Sequence, residues 1–271
     1  MNTRRHVTTF EARSKGFVAR QYRFILTFAA LLAGCTVIDD LRPIRSGRTY
    51  VVNNRASNTS NDNPGTEARP LRTIQTAADR AQPGDTVLVR AGIYREEVVP
   101  PRGGSSPDRL ISYRAAPGEK VSIRGSERIT GWRHQSNGVW MVELDTALFG
   151  DYNPFALPVA GEWLFRGTDY RLGDVYCNDE AFRQTVTFDE MEATPGTWYT
   201  DLKYGYINKF DFPAGRQYPD NRLRIWANFA TTDANAALTE INVRATAIFP
   251  KKSGLKYLVI DGFDVRHTAP Q

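Results

Sequence analysis

The sequence has few of the residues that build metal centres or disulfide frameworks. In 271 residues it carries two cysteines, Cys35 and Cys177, and three histidines, His6, His134 and His267. No His/Cys cluster has the spacing of metal ligands, so neither a metal nor a cofactor is expected. A long apolar run is also missing. The longest, Phe24 to Gly34, is 11 residues, and a bilayer-spanning helix needs about 20. The folded part lacks an excess of charge. The net +5 resides wholly in residues 1–35, and the remainder balances 29 basic against 29 acidic residues. A nucleic-acid binder would carry its basic stripe on the folded domain, so nucleic acid is excluded as a partner. A 41% hydrophobic and 24% charged composition is that of a globular chain rather than a disordered or collagen-like one.

The first 35 residues read as a leader. A basic stretch ends at Arg23, the apolar run follows, and small residues close it. This is the pattern of a secretory signal. Leu32-Ala33-Gly34-Cys35 resembles the bacterial lipobox, in which the cysteine is acylated and becomes the new N-terminus. The expectation is an exported envelope lipoprotein attached to the membrane through Cys35, periplasm-facing or at the surface. Each buried lipid methylene would add about 0.8 kcal/mol of membrane affinity. With Cys35 so used, Cys177 has no internal partner. It lies in the strand-like run Asp174 to Asn178 and reads as a small buried hydrophobe.

After a tether at 36–47, three segments follow: 48–128, 129–237 and 238–271. Tyr50-Val51-Val52 reads as a first strand, and Asn53 to Thr66 as a turn-rich loop. A helix is predicted over Thr73–Ala81, because Ile74, Ala77, Ala78 and Ala81 fall on one face. Short β-branched strands then recur at 20–25 residues: Thr86–Val89 and Leu110–Tyr113, then Glu97–Val99 and Val121–Gly125. Such a repeat suggests a β-solenoid, in which each coil buries its apolar face against the next. Glu240–Val243, Ala247–Phe249 and two strands split by Asp261-Gly262 return to this pattern. The intervening 129–237 holds all five tryptophans and several alternating strands, and reads as an inserted β-sandwich.

Particular motifs carry a family resemblance. Thr73-Ile74-Gln75, Pro83-Gly84-Asp85-Thr86-Val87 and Gly92-Ile93-Tyr94-Arg95-Glu96 resemble the cap and first coil of right-handed parallel β-helix proteins of the pectate lyase-like kind. Gly125-Ser126-Glu127-Arg128-Ile129, Phe149 to Pro154, Gly161-Glu162-Trp163, Leu172 to Tyr176, Trp226-Ala227-Asn228-Phe229 and Glu240 to Arg244 are similar to the β-xylosidases of glycoside hydrolase family 120. The resemblance covers about residues 48–268. It implies an all-β fold: a right-handed parallel β-helix with an N-terminal cap helix and an inserted β-sandwich. It also implies retaining hydrolysis of xylo-oligosaccharides by an Asp nucleophile and a Glu acid/base, set about 5–5.5 Å apart. The substrate implied is a xylan-type oligo- or polysaccharide, and the full-length form is expected to be a homo-oligomer.

In that family both catalytic carboxylates lie on coils later than His267, so no catalytic residue is expected in this chain, and the chain by itself is expected to be inactive. Glu96, Glu97, Asp151, Glu162, Asp261 and Asp264 read as turn or surface acids. Trp163 matches a family tryptophan that lines the sugar pocket and is the one expected substrate contact. Two other readings stand beside the glycosidase: a non-catalytic glycan-binding surface lipoprotein, and a polysaccharide lyase-like β-helix protein. The latter would need a base and usually a metal beside a uronate, and no such cluster is visible in the sequence.

Overall fold

The computed structural model describes residues 47–159, 170–201 and 221–269. Cys35, the leader and Trp163 with its neighbours lie outside the described residues. Among the described residues, strands far outnumber helices. In order, the first elements are β1 (Thr49–Val52), α1 (Ile74–Arg80), β2 (Thr86–Val89), β3 (Gly92–Tyr94), β4 (Ile111–Ala115), β5 (Val121–Arg124) and β6 (Ser126–Arg128). Next come β7 (Arg133–Ser136), β8 (Val139–Asp145), β9 (Val175–Cys177), β10 (Glu180–Ala181), β11 (Arg183–Gln184) and α2 (Phe188–Ala193). The last are β12 (Thr197–Thr200), β13 (Arg222–Asn228), β14 (Thr239–Asn242), β15 (Leu258–Asp261) and β16 (Phe263–Arg266).

The helix forms as its periodicity predicts. Thr73 caps it, its side chain accepting from the Thr76 amide, and Ile74, Ala77, Ala78 and Ala81 are fully buried. The polar loop before it is consumed by backbone. Asn61 accepts from the amides of Arg72 and Thr73. Asn63 donates to the carbonyls of Asn58 and Pro70.

Two parallel sheets follow from the repeated strands. One has the order β1-β2-β4-β15, the other β3-β5-β16. Parallel register stacks like on like. Tyr50, Val87 and Tyr113 form one buried ladder, and Tyr94 and Ile123 another. With α1 they make the first core. The pairing differs from the expected repeat in one place. Val121–Ile123 pairs with Gly92–Tyr94, not with Glu97–Val99, which forms no strand. Val98 makes only a bridge to Ile248, and Ala247–Phe249 likewise forms no strand. Glu97 binds Thr246 and Lys251 through its side chain, beside the buried Val98.

Both ladders continue onto the last strands. Ile260 is in register with Tyr113 and Val265 with Ile123. Their partners are fully buried, yet Ile260 is 46% and Val265 47% exposed. A row of core side chains therefore meets solvent on the outer side of β15 and β16.

Two further sheets follow, and the second takes β6 and β14 from outside the tryptophan-rich segment. Glu240–Asn242, expected to return to the repeated-strand pattern, pairs antiparallel with β9 and β6 instead. A five-stranded sheet has the order β11-β12-β13-β8-β7, antiparallel except for β11 with β12. A four-stranded antiparallel sheet has the order β10-β9-β14-β6. They share a second core of Trp198, Leu223, Ile225, Val142, Val175 and Ile241, among others. Phe155 lies edge-on to Trp198 at 5.4 Å. Cys177 is buried on β9 and unpaired by any disulfide.

Candidate functional site

The four-stranded sheet meets the end of β5 and β16 at a buried cluster of charge. Its centre is Glu240, on β14 and fully buried. Burying a bare carboxylate is costly, so it must be paired. Arg95, just after β3, and Arg124, the last residue of β5, both form ion pairs with it. The Ser126 hydroxyl donates to Glu240 Oε1 at 3.0 Å. His267 Nδ1 lies 3.5 Å from Glu240 Oε2.

A tight turn supplies the second acid. Asn178 and Asp179, between β9 and β10, both have positive φ, 51° and 72°. This is the two-residue hairpin geometry that Asn and Asp tolerate. It aims Asp179 at Arg124, whose Nη1 and Nη2 donate to it at 2.6 and 3.2 Å. His267 also takes a positive φ, 56°, which turns the chain as β16 ends. Its ring stacks on Tyr176 with centroids 3.8 Å apart and planes 17° apart. The Tyr176 hydroxyl donates to Asp174 Oδ2 at 3.2 Å. Arg266 closes the rim, 2.8 Å from Asp264 and 3.8 Å from Asp179.

The electrostatics follow from this arrangement. Burial alone would raise the Glu240 carboxyl, but His267, Arg95 and Arg124 outweigh it and hold it at about 2. Asp174 is pushed up, because burial outweighs the Tyr176 hydrogen bond and the nearby His267. Tyr176 is pushed up by burial and by the neighbouring Asp174 and Glu240.

Asp179, Glu240 and His267 bring three potential metal-ligand atoms within 4.8 Å of one another. Sequence spacing could not reveal this cluster. The donor set does not suit a cation, however. Arg124 Nη1 already bridges the two carboxylates, and Arg95 adds a second positive charge. A metal would have to displace one guanidinium and face the other.

Nor do these two acids form a hydrolytic pair. Retaining hydrolysis needs one carboxyl that is protonated and able to donate. Glu240 stays ionised, and the bridging guanidinium fills the space between it and Asp179. The cluster is suited to fixing the position of one sheet against another. Arg124 is buried and bidentate to Asp179, Arg95 is part-buried and reaches Glu240 through Nη1 alone, and such pairs impose geometry more than they add net stability.

The acids singled out in the sequence sit elsewhere. Glu96 is no surface acid. Its two oxygens accept from the Ile74 and Gln75 amides at 2.9 Å each, capping α1, and burial pushes its carboxyl up against that pull. Glu97 pairs with Lys251 at 3.1 Å, Asp261 with Arg114 at 3.1 Å and Asp264 with Arg266. Asp151 is exposed in a turn. Glu162 and the expected sugar contact Trp163 lie outside the described residues. Sequence reasoning missed Arg95, Arg124 and Asp179 as parts of one site. No local signal marked them, since Arg124 and Glu240 stand in strand runs of mixed composition that also carry Ser122, Thr239 and Asn242.

Comparison with known proteins places this geometry. Residues 129–241 match the family model described as the glycoside hydrolase 120 insertion domain. That segment holds Asp179, Tyr176 and Glu240. The chain is also similar to a solved structure titled as the complex of XylC with xylose. The identity is 32%, the TM-score is 0.69, and the match covers 81% of this chain and 35% of that one. A 68-residue stretch is 35% identical to the uncharacterized protein YwoF of Bacillus subtilis (strain 168), covering 25% of this chain and 14% of YwoF. The chain thus spans about a third of the XylC chain and a seventh of YwoF. The β-xylosidase-like resemblance to glycoside hydrolase family 120 drawn from the motifs is shown by the insertion-domain match and the XylC likeness together.

Proposed function

We propose that this chain is the N-terminal portion of an exported glycoside hydrolase that acts on xylo-oligosaccharides with retention of configuration. The observation that carries the reading is the 32% identity and TM-score of 0.69 to a structure solved with xylose, joined to the insertion-domain match. The parallel sheets are the first coils of a right-handed β-helix, and the other two sheets are a β-sandwich that runs from β6 to β14 and is inserted before β15. The Glu240 cluster pins that sandwich to the helix. Further coils would pack over Ile260 and Val265 and continue the two ladders. The catalytic Asp and Glu would be borne there, so residues 1–271 alone would not hydrolyse substrate. Trp163 would stack on the apolar face of the sugar, and Cys35 would anchor the protein in the cell envelope. The full-length form would be a homo-oligomer.

The test is to express the whole reading frame containing residues 36–271, with any coding sequence that follows, and assay aryl β-xylosides. Hydrolysis with the β-anomer released first, seen by proton NMR, is the expected result. A folded product inactive on every aryl glycoside offered would overturn the enzyme reading and leave a glycan-binding lipoprotein. Incorporation of labelled palmitate, lost in Cys35→Ser, checks the anchor.

A further inference from the structure

The five-stranded sheet buries one face and leaves the other with an unusual pattern. Trp198, Leu223, Ile225, Ala227 and Val142 point into the core and are buried. The outward positions should then be polar. Instead, register places Tyr199 beside Trp226 and Trp226 beside Met141, a row of apolar bulk across three strands. None of the three is buried. Phe188, at the start of α2 and 36% exposed, joins them from the sheet's margin. Its ring stands edge-on to Tyr199 at 6.1 Å and 87° and to Trp226 at 6.2 Å and 83°. Tyr199 and Trp226 are 6.0 Å apart and tilted by 46°. Edge-on packing against Phe188 holds the other two rings in fixed orientations.

The next row outward is ionic. Arg224 pairs with Glu143 at 3.1 Å and lies 3.9 Å from Asp201. Arg222 approaches Glu143 at 4.0 Å. Opposite charges alternate across the row, so it offers hydrogen-bonding groups without a strong field of one sign. Aromatic faces beside a charge-balanced polar row match one chemistry well. A pyranose presents C–H groups on its faces and neutral hydroxyls around its rim. An anionic ligand would be opposed by Glu143 and Asp201, and a cationic one by the two arginines.

We propose that Tyr199, Trp226 and Phe188, with the Arg224–Glu143 row, form a binding face for a neutral β-linked pyranose oligosaccharide. This face is separate from the charged cluster around Glu240. It deepens the carbohydrate reading above and rests on it for the choice of probe. Its role would be to hold one stretch of glycan on the insertion while another stretch reaches the reacting centre.

The experiment is a calorimetric titration of the 271-residue chain with xylohexaose and, separately, cellohexaose. Saturable binding to at least one is expected. It should weaken about tenfold in Trp226→Ala and in Tyr199→Ala, which corresponds to about 1.4 kcal/mol, and less in Trp226→Phe. Phe188→Ala, at the exposed margin, guards against variants that fail to fold, and should weaken binding severalfold while the chain still melts in a single cooperative transition. No binding of either sugar by the folded chain would overturn the proposal, as would equal affinity in folded Trp226→Ala and Phe188→Ala. Dimerisation lost in Phe188→Ala, without sugar binding, would overturn it in favour of a second copy of the chain. None of these outcomes depends on hydrolysis, so the face can fail while the glycosidase reading stands, and the converse.

Discussion

Replacing Glu240 with Gln gives a sharp check of the charged cluster. The side chain keeps its size and loses its charge between two arginines. Arg124 would retain Asp179, and Arg95 would retain the Ser126 carbonyl at 3.1 Å. Removing one member of a buried ion pair costs about 3–5 kcal/mol, and the surviving partners put Glu240→Gln near the lower end. The proton equilibrium gives a second route to the magnitude. The carboxyl falls from 4.5 to about 2 on folding, which corresponds to about 3 kcal/mol at 1.36 kcal/mol per pH unit. A depressed acid contributes its full stability above pH 4.5 and loses it as the pH falls through about 2. The assay is urea unfolding followed by tryptophan fluorescence, for both proteins, at neutral pH and at steps down to about pH 2. The mutant should be less stable by about 3 kcal/mol at neutral pH, or roughly 6–12 °C in Tm. The gap should narrow only below pH 4.5. A gap that is constant across the range, or absent at neutral pH, would refute the account of Glu240 as an ionised, paired centre.

Three further outcomes are expected. Trp198→Ala removes a fully buried indole against Phe155 and should cost about 3–5 kcal/mol in chemical denaturation. In Gly173→Ala the new methyl would come within 2.4 Å of the buried Phe155 ring, so a loss of about 1–3 kcal/mol is expected; an unchanged Tm would show that the ring yields freely. Thr73→Ala removes the side-chain cap of α1 and should cost about 1 kcal/mol, read as a lowered Tm with native-state fluorescence unchanged.

Several elements were legible because their signals are local. The face of Ile74, Ala77, Ala78 and Ala81 defines α1 without reference to anything distant. The Asp261-Gly262 corner splits two strands as read, with Gly262 at φ 79°. The aromatic texture that begins at residue 129 coincides with the start of the segment matched by the insertion-domain family model, residues 129–241. Strand pairing was less legible. Glu97–Val99 has the composition of a strand, but Gly92–Tyr94 takes the place beside Val121–Ile123. β-propensity describes what fits a half-buried pleated surface, not which surface is available.

The sequence alone determined the all-β character, the cap helix, the recurring short strands and the change of texture at residue 129, because each depends on neighbouring residues. Only the tertiary structure decided what the charges do. Arg95 and Glu240 are 145 residues apart, Arg124 and Glu240 are 116 apart, and Arg124 and Asp179 are 55 apart. No spacing rule links them, and each alone reads as an ordinary charged residue. They meet because parallel stacking brings the ends of β3, β5 and β16 side by side, and β14 carries Glu240 into the same place. Burial then turns a surface-type residue into a paired one, since a carboxylate without water must find its counter-charge within the fold.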